Sequence, residues 1–299
     1  VLRVDKLDGA PLAIAFRYSC HTVTLGPKTN RISPDYAGAA RTVIERTLGC
    51  PSLFLQGCAG NVNPATGIGQ DPDNSPLVRE DKNRLGQMLG GEVLKVCSTL
   101  RTQRRRKEPK LVQSVAVYWL FEYEDIPPGK AGTIRVAEKL MELPLTPFPP
   151  LAEVQREREE WGVKLANAKK RGAREWDWRV VKRFDTWAQL RLEAAKNGPN
   201  PLPVQFSLTV FDLGEIAFVA APFELMSETG MALRAASPKR HTFVLGYSNG
   251  MISYLPTPEV SREGGMESKL AYKAYLLPSE LPGDWEPVIK QEVLKMLKG

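Results

Sequence analysis

The pattern of apolar and polar positions changes character within Ser52–Pro64, where the short apolar run Leu53-Phe54-Leu55, bounded by Pro51 and Gly57, gives way to glycine and asparagine. The run suits a buried strand. The residues after it do not: Gly57 and Gly60 permit positive φ and close backbone approach, Asn61 and Asn63 carry amides that bond local backbone, and Pro64 ends any ladder. A buried strand delivering a Gly/Asn turn at its C-terminal end is where open α/β sheets place a ligand crevice. The same pattern also serves as a plain strand exit with Asn caps.

Upstream, Val1–Lys6 and Pro11–Cys20 read as two strands about a turn at Asp8-Gly9, and the second runs into His21 before Gly26-Pro27 breaks the pattern. Ser33 as N-cap with Pro34 at the first helical position predicts a helix with Ala40, Val43, Ile44 and Leu48 on one apolar face, closed by Gly49. After a polar, glycine-rich loop, Ser75-Pro76 caps a second helix whose Leu85, Met88, Leu89, Val93, Val96 and Leu100 face a core. Strand, helix, strand, helix implies at least one parallel crossover.

Further on, Leu111–Tyr123 reads as a strand, Pro127–Pro150 as a proline-studded linker, and Leu151–Asn197 as a charged helical hairpin with Trp161, Trp176, Trp178 and Trp187 as packing anchors. Val204–Phe211 alternates, and Ile216–Ala221 is apolar on both faces and so central. Pro222-Phe223-Glu224 is expected to open a helix over Leu225–Ala235, which sets a carboxylate where a buried strand meets a helix N-terminus. His241–Tyr247 is another apolar strand, running into Ser248-Asn249-Gly250 and Tyr254, and Trp285–Leu297 is an amphipathic helix. The fold class is α/β, a mixed sheet core with flanking helices and a helical insertion at 151–198.

With 42% hydrophobic and 25% charged residues over 299 positions, the chain can bury a sizeable core of ordinary globular composition. No apolar run approaches the ~20 residues that cross a bilayer, and no signal-peptide pattern opens the sequence. It begins at Val1 already alternating as a strand, so an incomplete domain with its upstream part missing is expected. The net charge of +7 comes largely from Arg101–Lys110 and Lys164–Arg183, either solvated faces or a patch for an anionic membrane surface. Nucleic acid is not an expected partner, for no module motif is present. Cys20, Cys50, Cys58 and Cys97 lack C-x-x-C spacing, which argues against a structural zinc finger.

Four strand ends carry polar groups that a core would not choose: His21, Asn61 with Asn63, Glu224, and Asn249 with Tyr254. Each alone reads as a structural residue or as part of a site, and their recurrence favours one site. Laid out together, A-I-A-F-R-Y-S-C-H-T, I-S-P-D-Y-A-G-A-A, L-F-L-Q-G-C-A-G-N-V-N-P, F-V-A-A-P-F-E-L-M-S-E-T-G and G-Y-S-N-G-M-I-S-Y-L-P-T resemble the later part of the catalytic domain of the neutral/alkaline, non-lysosomal ceramidases. The resemblance implies a zinc-dependent amide hydrolase that cleaves N-acylsphingosine to sphingosine and fatty acid, in an extracytoplasmic setting.

By position it makes His21, Glu224 and Tyr254 zinc ligands, Asn63 and Tyr254 catalytic, and Gly60, Asn61 and Asn249 substrate-binding. A further family histidine lies upstream of anything present here, Asn63 stands where the family has serine in G-D-x-S-P, and Met266 stands where it has a tyrosine. The alternative is a metal-free remnant that binds lipid or a protein partner without catalysis. The zinc reading predicts His21 and Glu224 side chains within about 5 Å of each other, with the Tyr254 hydroxyl nearby.

Overall fold

A computed structural model describes residues 1–299 other than 28, 30, 67–75, 101, 127–131, 171–174 and 299, and does not extend to the side chains of 175–177. The chain divides into two compact units: Val1–Arg17, Thr22–Leu55 and Pro64–Thr133 form one, and Tyr18–His21, Gln56–Asn63 and Ile134–Gly299 the other.

In the first unit, β1 (Leu2–Asp5) pairs antiparallel with β2 (Pro11–Tyr18) as the alternation predicts. Helix α1 (Asp35–Leu48) begins just after Ser33, whose hydroxyl accepts the Asp35 N–H at 3.1 Å, and ends at Gly49 in the left-handed conformation. Strand β3 (Ser52–Gln56) lies beside β2. The bonds from Ile14 N–H to Pro51 O and from Gly57 N–H to Tyr18 O ascend together along both strands, so the two run parallel and α1 is the expected crossover. β3 is an edge strand, however, and Leu53 is 51% exposed, so the fully buried strand expected there is not found.

Helix α2 (Pro76–Thr99) starts where the sequence places it, although Ser75 and most of the loop before it lie outside the described residues. Its buried face is Gly86, Gly90, Val93 and Cys97, and Met88, expected to face a core, is 63% exposed. The reason is the closeness of α1: a Cβ at Gly86 would lie 2.3 Å from Ala39 Cβ and 2.7 Å from Tyr36 O. Small residues set this interface, and a search for large apolar residues passes over them.

The predicted single strand Leu111–Tyr123 is a ribbon instead. β4 (Arg104–Arg106) pairs with β7 (Tyr123–Asp125), and β5 (Lys110–Gln113) with β6 (Val117–Leu120), the chain turning at Ser114.

The second unit continues with β8 (Arg135–Pro144), α3 (Leu151–Lys170), α4 (Glu175–Asn197), β9 (Pro203–Asp212), β10 (Ile216–Ala220), β11 (Glu224–Leu225), α5 (Ser227–Ala236), β12 (His241–Leu245), β13 (Tyr254–Leu255), α6 (Pro258–Glu263), α7 (Met266–Lys269), α8 (Ala271–Ala274) and α9 (Trp285–Lys298). A mixed sheet in the order β12-β10-β9-β8 is antiparallel except between β10 and β12. Phe206, Leu208 and Val210 of β9 and Ala217 and Val219 of β10 pack into one core with Trp285, Ile289 and Val293 of α9.

The linker expected over Pro127–Pro150 contains β8, which pairs with β9 along its whole length; residues 127–131 lie outside the described residues. As an edge strand burying only Met141, β8 keeps charges on several positions and hides its period.

The helical insertion forms as expected. Arg158 pairs with Asp185 and Arg191 with Glu157, and Trp161 stacks on Phe184 at 5.0 Å, so α3 and α4 run antiparallel. Trp187 is fully buried and donates to Leu277 O at 2.7 Å. The side chain of Trp176 lies outside the described residues.

The α1–α2 contact yields a paired test. Alanine gains about 0.5–1 kcal/mol over glycine in a helix, while overpacking costs about 1–3 kcal/mol. At Gly86 overpacking wins, and at Gly91, where a Cβ meets nothing within 4 Å, it is absent. In urea unfolding, Gly86→Ala should lower stability by roughly 1–2 kcal/mol and Gly91→Ala should raise it by about 0.5–1 kcal/mol. Stabilisation by both would refute the close packing.

Candidate functional site

Four stretches of the second unit converge on Glu224. The Tyr18–His21 stretch is fixed by Gly57 N–H on Tyr18 O (2.9 Å), Gln56 Nε2 on Cys20 O (3.2 Å) and His21 N–H on Val62 O (2.9 Å). The neighbouring turn is fixed in its own right by Val62 N–H on Ala59 O and by Gly60 N–H on Leu225 O (2.9 Å). Gly60 is needed for close approach and not for a positive φ: a Cβ there would lie 3.0 Å from both Glu224 O and Leu225 O.

Glu224 is not at a helix start, as the sequence suggests, but in β11. Its N–H bonds Ser253 O at 3.0 Å, and Glu224 is the register partner of Tyr254 in a parallel two-strand ladder. With Gly60 holding Leu225 O, residues 224–225 are committed to bridging, and α5 begins only at Ser227.

The Glu224 side chain is nearly solvent-free. Oε1 accepts from Tyr275 Oη and Oε2 from Tyr247 Oη. His21 Nε2 lies 3.3 Å from Oε2, Tyr254 Oη is 3.4 Å from the same Nε2, and Tyr247 Oη is 3.1 Å from His21 Nδ1. His21, Glu224 and Tyr254 are thus brought together. Burial, followed by the hydrogen bond to Glu224 for Tyr247 and Tyr275 and by its charge for Tyr254, pushes all three phenols far above the usual tyrosine range, so each keeps its proton.

The sequence reading misses Tyr247 and Tyr275. Tyr247 reads as the last apolar residue of a strand. Tyr275 carries no local signal, and Met266, where the resemblance expects a tyrosine, instead starts α7 and is 48% exposed. It is Tyr275 that reaches the carboxylate.

The asparagines are placed differently. Asn61 Oδ1 accepts the Ser227 N–H at 2.9 Å and Nδ2 donates to both Glu228 oxygens at 3.0 and 2.8 Å. It caps α5 from a distance, in place of Met226, which makes no side-chain cap. Asn249, at φ +60°, donates to Thr209 Oγ1 at 3.3 Å, and Asn63 is exposed at the end of its turn.

Among the described residues no three or more His, Cys, Asp or Glu side chains are grouped to hold a metal ion. The donors here are one imidazole, one carboxylate and phenols. No protein-family model and no curated protein matches the chain. Solved structures do: the neutral ceramidase of Pseudomonas aeruginosa superposes with a TM-score of 0.58 at 16% identity, covering 98% of this chain and 45% of that one.

The fold is ceramidase-like. A ceramidase complexed with C2 gives a TM-score of 0.56 at 15% identity, over 98% of this chain and 46% of the other. The chain therefore spans less than half the length of these ceramidases, and at such identity the likeness is one of fold.

The Asn61 cap carries its own test. Burial pushes the Glu228 carboxyl up, but hydrogen bonds from its own N–H, Asn61 and Ser227 outweigh it and hold the group below the usual glutamate value. A depressed carboxyl stabilises above its unfolded value of about 4.3 and loses that share as pH falls through the folded value. Asn61→Ala should cost about 0.5–2 kcal/mol at pH 7 and less at pH 3. The same penalty at both pH values would assign the whole effect to the Ser227 N–H.

Proposed function

We propose that the chain carries part of a zinc-dependent amide-hydrolysing site of ceramidase type, acting on a lipid-like N-acyl amide such as N-acylsphingosine. The supporting observation is the meeting of His21 Nε2, Glu224 Oε2 and Tyr254 Oη at spacings of 3.3 and 3.4 Å on a ceramidase-like fold. Donors about 2.0–2.1 Å from one tetrahedral ion stand roughly 3.3–3.4 Å apart, so the His21–Glu224 and His21–Tyr254 spacings fit ligands of one ion. Imidazole, carboxylate and phenol oxygen are all fitting zinc donors. When bound, the ion would lower the pKa of a coordinated water and polarise the amide carbonyl.

The protein's own groups prepare that event. Tyr275 engages Oε1 of Glu224 and so fixes the carboxylate plane while Oε2 faces His21. Tyr254 keeps its proton beside the Glu224 charge, so as a ligand it serves as a neutral phenol or gives up that proton on binding. Asn63 has an amide that can donate to a developing oxyanion but no hydroxyl to relay a proton. The net charge of +7 is in keeping with a substrate presented on an anionic membrane surface. Among the described residues no helix is long and apolar enough to cross a membrane.

Zinc titration of the 299-residue chain should show one ion per chain. It should bind weakly, because three protein donors leave solvent to complete the coordination. His21→Ala and Glu224→Gln should each weaken binding by about tenfold or more. Unchanged binding in both variants would remove these residues from the site. With zinc supplied, hydrolysis of a short N-acyl amine should exceed that of ceramide, and Asn63→Ser should raise the ceramide rate on the order of 10²-fold. No turnover of any N-acyl amide by either protein would leave a lipid- or partner-binding remnant.

A further inference from the structure

Tyr247 touches both members of the His21–Glu224 pair, lying 3.1 Å from His21 Nδ1 and donating to Glu224 Oε2. A phenol has one proton to give. Glu224 takes it, so the Nδ1 contact is a hydrogen bond only when the imidazole donates and Tyr247 Oη accepts. Neutral His21 then carries its proton on Nδ1 and turns the Nε2 lone pair toward Glu224 Oε2 and Tyr254 Oη.

The backbone imposes this placement. Tyr247 has φ +54°, a left-handed conformation unfavourable for a bulky side chain. It is held there by its N–H on Phe223 O (3.1 Å), with Ser248 N–H on Ala221 O (3.1 Å) and Gly246 N–H on Gln56 O (3.2 Å) on either side.

We propose that Tyr247 is a positioning residue that selects the Nδ1–H tautomer of His21 and links it to Glu224, so that Nε2 and Oε2 are preset to receive a cation between them. That the cation is zinc rests on the function proposed above; the tautomer does not.

The test uses Tyr247→Phe, which keeps the ring and removes the hydroxyl. The ¹⁵N resonances of the two imidazoles, His21 and the exposed His241, are assigned with His241→Gln and read in zinc-free protein at a pH where His21 is neutral. The expected result is Nδ1–H in the parent and a shift toward Nε2–H in the variant, with zinc affinity in chelator competition lower by about 10–100-fold. An Nε2–H parent, an unchanged tautomer in the variant, or a variant that binds zinc as tightly as a zinc-binding parent overturns the proposal. A parent that takes up no zinc defeats the metal reading alone, and the tautomer then decides for Tyr247. If the variant does not fold, the parent's tautomer decides by itself.

Discussion

Glu224 is 3% exposed, and a carboxylate so far from water survives only if other groups replace its hydration. Hydroxyls of Tyr247, Tyr254 and Tyr275 do so. They come from the loop beyond β12, from β13, and from the residue after α8, and His21 beside them comes from the Tyr18–His21 stretch of the same unit. Any rearrangement of one of these segments would leave a buried charge short of partners, so the loops are constrained as firmly as the strands. The constraint is visible in the backbone: Tyr247 is itself left-handed, and Leu276, next to Tyr275, has φ +62°.

The stretch Gln56–Asn63 holds the other side of this arrangement. Gly60 lies against the backbone of Glu224 and Leu225, Asn61 caps the helix after them, and the Val62 carbonyl anchors His21. The turn therefore acts by fixing the main chain that carries the acid and the imidazole. Its glycine and asparagine residues are explained by close approach and capping before any contact with a ligand is needed.

Local periodicity was enough to read β1, β2, α1, β9, β10 and α9, because each buries one clear face or, for β10, both. It fails where burial is slight, since β8 is an edge strand rich in charge; for α2 it finds the helix and Val93 of its buried face but passes over Gly86 and Gly90. At the site, His21, Glu224 and Tyr254 stood out as polar residues at strand ends. Tyr247 and Tyr275 did not, since a tyrosine reads as core in any local window and only tertiary structure reveals where its hydroxyl goes. Glu224 was visible as a residue but misplaced in structure, because the two-residue β11 is made by partners at Ser253 and Gly60 that no local pattern contains.

The proton count at the centre bears on purpose. Tyr247 spends its proton on Glu224, Tyr275 spends its own on the other carboxylate oxygen, and in the proposed tautomer neutral His21 gives its proton back to Tyr247. Nε2 and Oε2 then confront each other as two acceptors 3.3 Å apart, with only the Tyr254 hydroxyl to share between them. A cation between them resolves the conflict, either a proton, which makes an imidazolium–carboxylate pair, or a metal ion. Buried ion pairs are often no more stabilising than apolar residues of similar volume. A core selected for stability alone would have little use for one acid, one imidazole and three phenols here, which is the physical ground for reading this cluster as a site and not as a strut.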